Sequence, residues 1–333
     1  MKYKLISLFC GCGGSDLGAV GGFRYLDNYY KKHAIKIVHA SDIDSKAIET
    51  YNSNQMLFGH QAQVADVTTL NFSKNDADIV IGGFPCQNFS SVNPSKEPEK
   101  KENQLFWELA RVVEEVSPKV FVGENVKGFY SLHQGKYFHL AKEKFEKLGY
   151  KVFWSIINMS HYGIPQLRER LFMVGIRKDL QKKNFLFPQT THGDELFNKP
   201  LVPLKAVIDS LIPEDEKYYF SARAVEGVKK AKNNMKRALA QDLDKPCLTI
   251  TSHLAKVSLN SRDPVLLVNE SRELYRRFTP REAARIQSFP DNFVFPGSDG
   301  VTYKQIGNAI SPVFFWHLMD SIIKYLDSNG QDK

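Results

Sequence analysis

The first half of the chain is a succession of short apolar runs separated by segments with helical spacing. KLISLF (4–9) ends in glycines, IKIVHASD (35–42) ends on an acid, and QVADV (63–67) and DADIVIGGF (76–84) follow. VFVGENV (120–126), KVFWSIIN (151–158) and RLFMVGIR (170–177) complete the set. Between them, SKAIETYNSN (45–54) gathers Ala47, Ile48 and Tyr51 on one side, and LFWELARVVEEV (105–116) turns Leu105, Leu109, Val112, Val113 and Val116 inward. Strands with little polar alternation are buried on both faces, and their alternation with helices gives a parallel sheet between two helical layers. The expected fold class is therefore α/β, a doubly wound, mostly parallel sheet. Sheets of this kind bind ligands outside the carboxyl ends of their strands. Gly11 to Gly14, Asp42, Asp66, Cys86 and Glu124 all fall at those ends.

From about residue 188 the pattern changes. FPQTTHGDELFNKPLVPL is loop-like, KKAKNNMKRAL (229–239) is a basic helical segment, and KPCLTITSHLAKVSLNSRDPVLLV reads as short strands. The last segment, IGNAISPVFFWHLMDSIIKYL (306–326), reads as one long apolar helix after a polar turn, too hydrophobic to stand alone. Because 333 residues exceed the roughly 150 of an average domain, a second, smaller domain is expected. The divisions are 1–187 for the sheet domain, 188–302 for the smaller domain and hinge, and 303–333 for a helix returning to the sheet.

A formal net charge of +8 favours a polyanionic partner, but only weakly. Four cysteines make no disulfide framework, and Cys10 with Cys12 lacks the second pair a zinc site needs. No run approaches the ~20 apolar residues of a membrane span, and MKYKLISLF lacks an export signal's cleavage pattern. A cytoplasmic setting without membrane contact is expected.

Four constellations carry chemistry. In GGFPCQNFS (82–90), Cys86 follows a buried strand and is held by Pro85. A buried structural thiol or a nucleophile at the sheet edge both fit. In FCGCGGSDLG (9–18) the glycines fail the dinucleotide fingerprint because the third position is Asp16, yet they still allow close approach of a ligand or a plain tight turn. Asp42 can bond ribose hydroxyls and Asp66 an adenine amino group, and each also suits a strand-end cap. Glu124, deep at the end of an apolar strand, should have a raised pKa and so be able to donate a hydrogen bond. A structural ion pair is its alternative role. In QLRERLFMVG (166–175), Arg168 and Arg170 lie on one side by period-two alternation, spaced to clamp a carbonyl or phosphate or to sit solvated on an edge.

Taken in order, FCGCGG, Asp42, VADV, GGFPCQNFS, ENVKGF, QLRERLFMVG, RRFTPREAARIQSFPDNF and YKQIGNAISP closely resemble the DNA cytosine-C5 methyltransferases of prokaryotic or phage restriction-modification systems. The resemblance implies the class I fold of S-adenosyl-L-methionine-dependent methyltransferases. It implies S-adenosyl-L-methionine as donor, with Phe9, Gly11, Gly13, Asp42, Ile43, Asp66, Val67, Phe84, Pro85 and Asn308 around it. It makes Cys86 the nucleophile, Glu124 the group at N3 and the exocyclic amine, Arg168 the contact to the base O2, and Arg170 its support. No metal is required. Double-stranded DNA, a monomeric enzyme and a companion restriction endonuclease complete the expected setting.

The same resemblance makes 188–302 a target-recognition domain, supported by Pro280 to Ile286. Lys229, Lys230, Lys232, Lys236 and Arg237 suit phosphate contact, which positions without reading sequence. Thr249 and Thr251 fall where the family orients the target nucleotide, and Arg223, His253, Lys256 and Arg262 are candidates for base edges. The polar stretch 90–104, which opens on Ser90, suits a lid over DNA. Three features depart from the family. Glu102-Asn103 stand where an Arg-Gly pair is common, Asp42 replaces a longer Glu, and Ile43 replaces an aromatic residue. The rival readings are a tRNA methyltransferase, disfavoured because its Cys-Phe-Thr tripeptide is absent, and an inactive DNA-binding relative, disfavoured because Cys86, Glu124 and Arg168 are present.

Overall fold

The computed structural model describes residues 2–84, 105–193, 199–208, 215–233, 240–255 and 264–329. Seven of the apolar runs form one sheet: β1 (Tyr3–Leu8), β2 (Ile35–Asp42), β3 (Gln63–Val64), β4 (Ile79–Gly82), β5 (Val120–Val126), β6 (Tyr150–Asn158) and β7 (Glu169–Arg177). Their order across the sheet is β3-β2-β1-β4-β5-β7-β6. The first five pair in parallel, with Tyr3 opposite Ile35, Leu5 opposite Ile79 and Ile79 opposite Val120. β7 alone is antiparallel, with Phe172 opposite both Glu124 and Ser155. The connection from β6 to β7 is too short for a crossover helix, so the chain folds back and inserts β7 between β5 and β6.

Successive side chains in the central strands point to opposite faces and join different cores, as a sheet buried on both sides requires. Ile79, Ile81, Val120, Val122, Phe172 and Val174 join one core, while Val80, Phe121, Leu171 and Met173 join the other. Helices α1 (Gly14–Val20), α2 (Ser45–Ser53), α3 (Leu105–Val116) and α4 (Lys136–Lys147) cover the two faces. α3 buries Leu109, Val112, Val113 and Val116, as its spacing predicts.

Three expectations change. QVADV is a strand only over Gln63–Val64, at the sheet's edge; Ala65 leaves it, and Asp66 caps a helical turn over Val67–Thr69. The basic segment belongs to a helix that starts earlier, α5 (Ala222–Asn233), and 234–239 lie outside the described residues. The terminal helix is in fact two. Residues 306–308 end α7 (Asp299–Asn308), and α8 (Pro312–Asn329) starts afresh after the turn at 309–311. Proline at the first position of α8 explains the break, because it cannot donate to a preceding helical turn.

α8 does return to the sheet. Phe314 meets Tyr162 at 4.9 Å and Phe172 at 4.7 Å between ring centroids. α1 lies so close to it that a Cβ at Gly18 would stand 2.5 Å from the Pro312 carbonyl oxygen. No helix among the described residues is long and apolar enough to cross a membrane.

The later region is tied to the sheet through 165–168. Cys247–Leu248 pairs in parallel with Gln166–Leu167, next to the start of β7. A hairpin of Leu266–Asn269 and Leu274–Arg276 leads into α6 (Pro280–Ile286). Thr279 and Glu282 form a reciprocal capping box there, and Arg276 grips the Glu282 carboxylate through bonds of 2.7 and 2.8 Å. Both side chains of that ion pair are almost fully buried.

Candidate active site at the carboxyl edge of the sheet

The loop after β1 has three residues in the left-handed region: Phe9 (φ 54°), Gly11 (φ 53°) and Gly13 (φ 95°). At Gly11 a Cβ would meet nothing within 4 Å, so the backbone there faces open space; at Gly13 it would stand 2.5 Å from the Phe58 ring. The Gly11 N–H donates to Asp42 Oδ2 at 2.9 Å, and the Asp44 N–H donates to Oδ1 at 2.9 Å. Asp42 thus fixes the loop from the end of β2, and burial raises its pKa despite those bonds. Next to it, Ile43 is 70% exposed.

Asp66 is exposed, and its Oδ1 accepts from the Thr68 N–H (2.9 Å) and hydroxyl (2.8 Å), bonds that lower its pKa. Val67 beside it is buried. Asn308 ends α7 and is exposed. The Phe84 ring turns into the core, edge-on to Phe106 and Phe129, and its carbonyl accepts from Asn125 Nδ2 at 3.2 Å. Pro85, Cys86 and Ser90 lie outside the described residues.

Glu124 stands on β5 beside this loop. Its Oε1 is 3.3 Å from Arg170 Nε, with the two side chains 13% and 15% exposed. Burial raises the Glu124 pKa, opposed by the charges of Arg170 and Arg168. A Cβ on Gly83 would be 3.3 Å from Glu124 Oε2 and 3.5 Å from Ile310 Cδ1, so the carboxyl group reaches the backbone just ahead of Cys86. Gly82, Gly83, Glu124 and Ile310 come together with Ser15 around a crevice that has no room for a water molecule.

The two arginines occupy different surroundings. Arg168, expected at the base, is 2% exposed. Its Nη1 donates to the Ile250 carbonyl (3.0 Å) and its Nη2 to those of Gly307 (2.9 Å) and Ala309 (3.2 Å). Arg170, expected as its support, is the one paired with Glu124. Three carbonyls take three of the five N–H donors of Arg168 and turn both of its terminal nitrogens onto the backbone, while its buried Nε has no partner among the described residues.

Several residues the sequence reading passed over turn out to build the site. Asn125, inside the quoted ENV, anchors the loop that leads to Cys86. Gln166, which opens QLRER, accepts from the Ile250 N–H at 2.9 Å and donates to Gln287 at 2.6 Å. Asp16, the residue that spoils the dinucleotide fingerprint, is fully buried and accepts from Ser7 (2.8 Å), Ser15 (3.2 Å) and Tyr51 (3.3 Å). Burial pushes its pKa up to about 6. Its signal was chemical, an acid among apolar and small residues where a glycine was sought.

Of the residues expected to touch DNA, two are brought beside this cluster. Thr249 donates to the Leu167 carbonyl at 2.8 Å, and the Thr251 backbone packs against Gly307. Thr251 Oγ1 accepts from the His253 N–H at 3.1 Å, and the His253 side chain is exposed. Arg223 and Lys230 are exposed on α5, with Lys230 paired to Glu226 at 2.7 Å, and Lys229 and Lys232 share that helix. Lys236, Arg237, Lys256 and Arg262 lie outside the described residues.

Comparison with known proteins bears on what this edge does. The family model described as C-5 cytosine-specific DNA methylase matches residues 3–324. The chain is 32% identical to the type II methyltransferase M.BspRI of Lysinibacillus sphaericus, over 94% of this chain and 79% of that protein. It is 31% identical to the type II methyltransferase M.FnuDI of Fusobacterium nucleatum, over 96% and 94%. Among solved structures, a putative DNA modification methyltransferase encoded within an E. coli prophage superposes with a TM-score of 0.68 at 24% identity, covering 97% of this chain and 99% of that one. The Entamoeba histolytica methyltransferase EhMeth gives 0.72 at 18% identity, over the full length of both chains, a likeness of fold. The matched family, spanning sheet, later region and terminal helix alike, makes this chain a member of the C-5 cytosine-specific DNA methylases, a DNA (cytosine-5-)-methyltransferase.

Proposed function

We propose that the protein methylates C5 of a specific cytosine in duplex DNA, flipped out of the stack, through a covalent bond between Cys86 and C6. The observation that carries this is Glu124, a carboxyl group with a raised pKa that reaches the Gly83 backbone while paired with Arg170. Cytosine C5 is a poor nucleophile. Addition of a thiolate at C6 makes it enamine-like, and cysteine suits that step because its thiolate is available near neutral pH. Protonated Glu124 donates to N3 and disperses the charge that develops in the ring. After C5 gains its methyl group, loss of the C5 proton and elimination of Cys86 restore both the aromatic ring and the free thiolate.

Arg170, not Arg168, is assigned to the base O2, because Arg168 has both terminal nitrogens bound to backbone carbonyls. Removing the base from the helix costs a few kcal/mol. In this reading Thr249, Thr251 and His253 hold the opened strand, and the lysines of α5 supply phosphate contacts.

The open backbone at Gly11, the Asp42 carboxylate, exposed Ile43, Asp66 and Asn308 fit S-adenosyl-L-methionine. When bound, it supplies an electrophilic methyl group. Asp42 holds the loop open for it and offers the ribose an acceptor, and Ile43 gives the adenine an aliphatic face. The name type II methyltransferase carried by its relatives favours a role beside a cognate restriction endonuclease. In this reading the enzyme acts as a monomer on DNA in the cytoplasm.

The test is covalent capture. With donor present, a duplex carrying 5-fluorocytosine at the methylated position should trap the protein in a denaturant-stable complex, because fluorine cannot leave as the C5 proton does. The Cys86→Ser variant should give no complex. A variant that methylates as fast as the parent would overturn the mechanism.

A further inference from the structure

Between the recognition segment and the base pocket lies a buried polar cluster that the chemistry above does not use. Gln166 and Gln287 are fully buried. The Gln166 side chain accepts from the Ile250 N–H at 2.9 Å, and its amide nitrogen donates to Gln287 Oε1 at 2.6 Å and to the Ile286 carbonyl at 3.3 Å. Gln287 in turn donates to the Ala309 carbonyl, which also accepts from Arg168. Ile250 is thus held at both ends, its N–H by Gln166 and its carbonyl by Arg168. Ile310, next to Ala309, faces the same narrow crevice as Glu124.

The surroundings leave this cluster no slack. A Cβ on Gly307 would fall 2.3 Å from Ser252 N and 2.4 Å from the Thr251 carbonyl oxygen, so α7 and the recognition segment touch backbone to backbone. Ser288, the residue after Gln287, is held at φ 69°, and its hydroxyl accepts from the Val313 N–H at 3.2 Å. A buried amide with its donor and acceptor both engaged fixes one relative position of the segments it joins.

We propose that the amide pair Gln166–Gln287 positions segment 247–253 against the base pocket, with Gln287 the positioning residue through which target recognition is coupled to methyl transfer. This rests on the function proposed above. A DNA site that seats Thr249, Thr251 and His253 correctly places the turn at 309–310 correctly, and a poorly seated site does not.

The test compares the parent with Gln287→Leu and with the double variant Gln166→Leu/Gln287→Leu. In the double variant neither side-chain amide is left facing an apolar partner, and the Ile250 N–H loses its acceptor, a cost that the melting measurement reads. Each protein methylates the same plasmid, bisulfite sequencing gives the rate at every cytosine, and donor affinity and melting are measured alongside. Expected is a fall of about tenfold in the ratio of the best site to the next best, carried by kcat at the best site, with donor affinity unchanged. An unchanged site ratio in both variants, whether or not rate and melting temperature fall, would overturn the coupling and leave the pair a structural filler. A parent that leaves every cytosine unmodified would instead remove the underlying function.

Discussion

At the scale of single residues, the site depends on where charge is buried. Glu124 has a raised pKa because burial penalises its anion more than Arg170 and Arg168 favour it. In the proposed mechanism the protonated form is the active one, and the sign follows from that. Activity that requires it is present below the raised pKa and is lost as pH rises through it. Glu124→Gln still presents a donor to the ring but has no proton to give up. It should lower kcat by about a hundredfold or more and abolish that falling limb, with donor affinity unchanged, as steady-state rates across pH would show. Both the residue and its raised pKa were legible in GENV, because an acid ending an apolar strand has few ways to stay charged. The division of labour between Arg168 and Arg170 was not. Spacing puts both on one side, and only the three carbonyls around Arg168, contributed by Ile250, Gly307 and Ala309, set them apart.

At the scale of elements, close packing overrides intrinsic preference. Alanine in place of a helical glycine ordinarily gains up to about 1 kcal/mol. At Gly18 the added Cβ would stand 2.5 Å from the Pro312 carbonyl oxygen and 2.7 Å from Phe315 Cβ, so α1 must separate from α8. Gly18→Ala should therefore destabilise the fold, by about 1–3 kcal/mol, read as a lower melting temperature. The bounds of α3 were legible, as was most of the face it buries, but Leu105 is only half-buried, and Phe106 and Ala110 are buried besides. QVADV was overread: its pattern suits a strand, but β3 lies at the edge, paired only with β2, and nothing continues the ladder past Val64.

At the scale of the whole molecule, the terminal helix closes the structure. Phe314 sits edge-on to Tyr162 and tilted against Phe172, joining α8 to β7 and to the turn before it. Phe314→Ala should cost about 3–5 kcal/mol by leaving a cavity there, measurable by denaturant unfolding. The sequence by itself determined the alternation of strands and helices, and the gathering of glycines, acids and Cys86 at one sheet edge. Those features follow from local periodicity and from where each run stops. The tertiary structure alone decided that β7 enters antiparallel, that the last apolar stretch breaks before Pro312, and that Arg168 is sealed into the core. It alone joined Gln166 to Gln287 across 121 residues. A side chain's role is set by which donors and acceptors burial brings to it, and those partners come from segments that no local pattern relates.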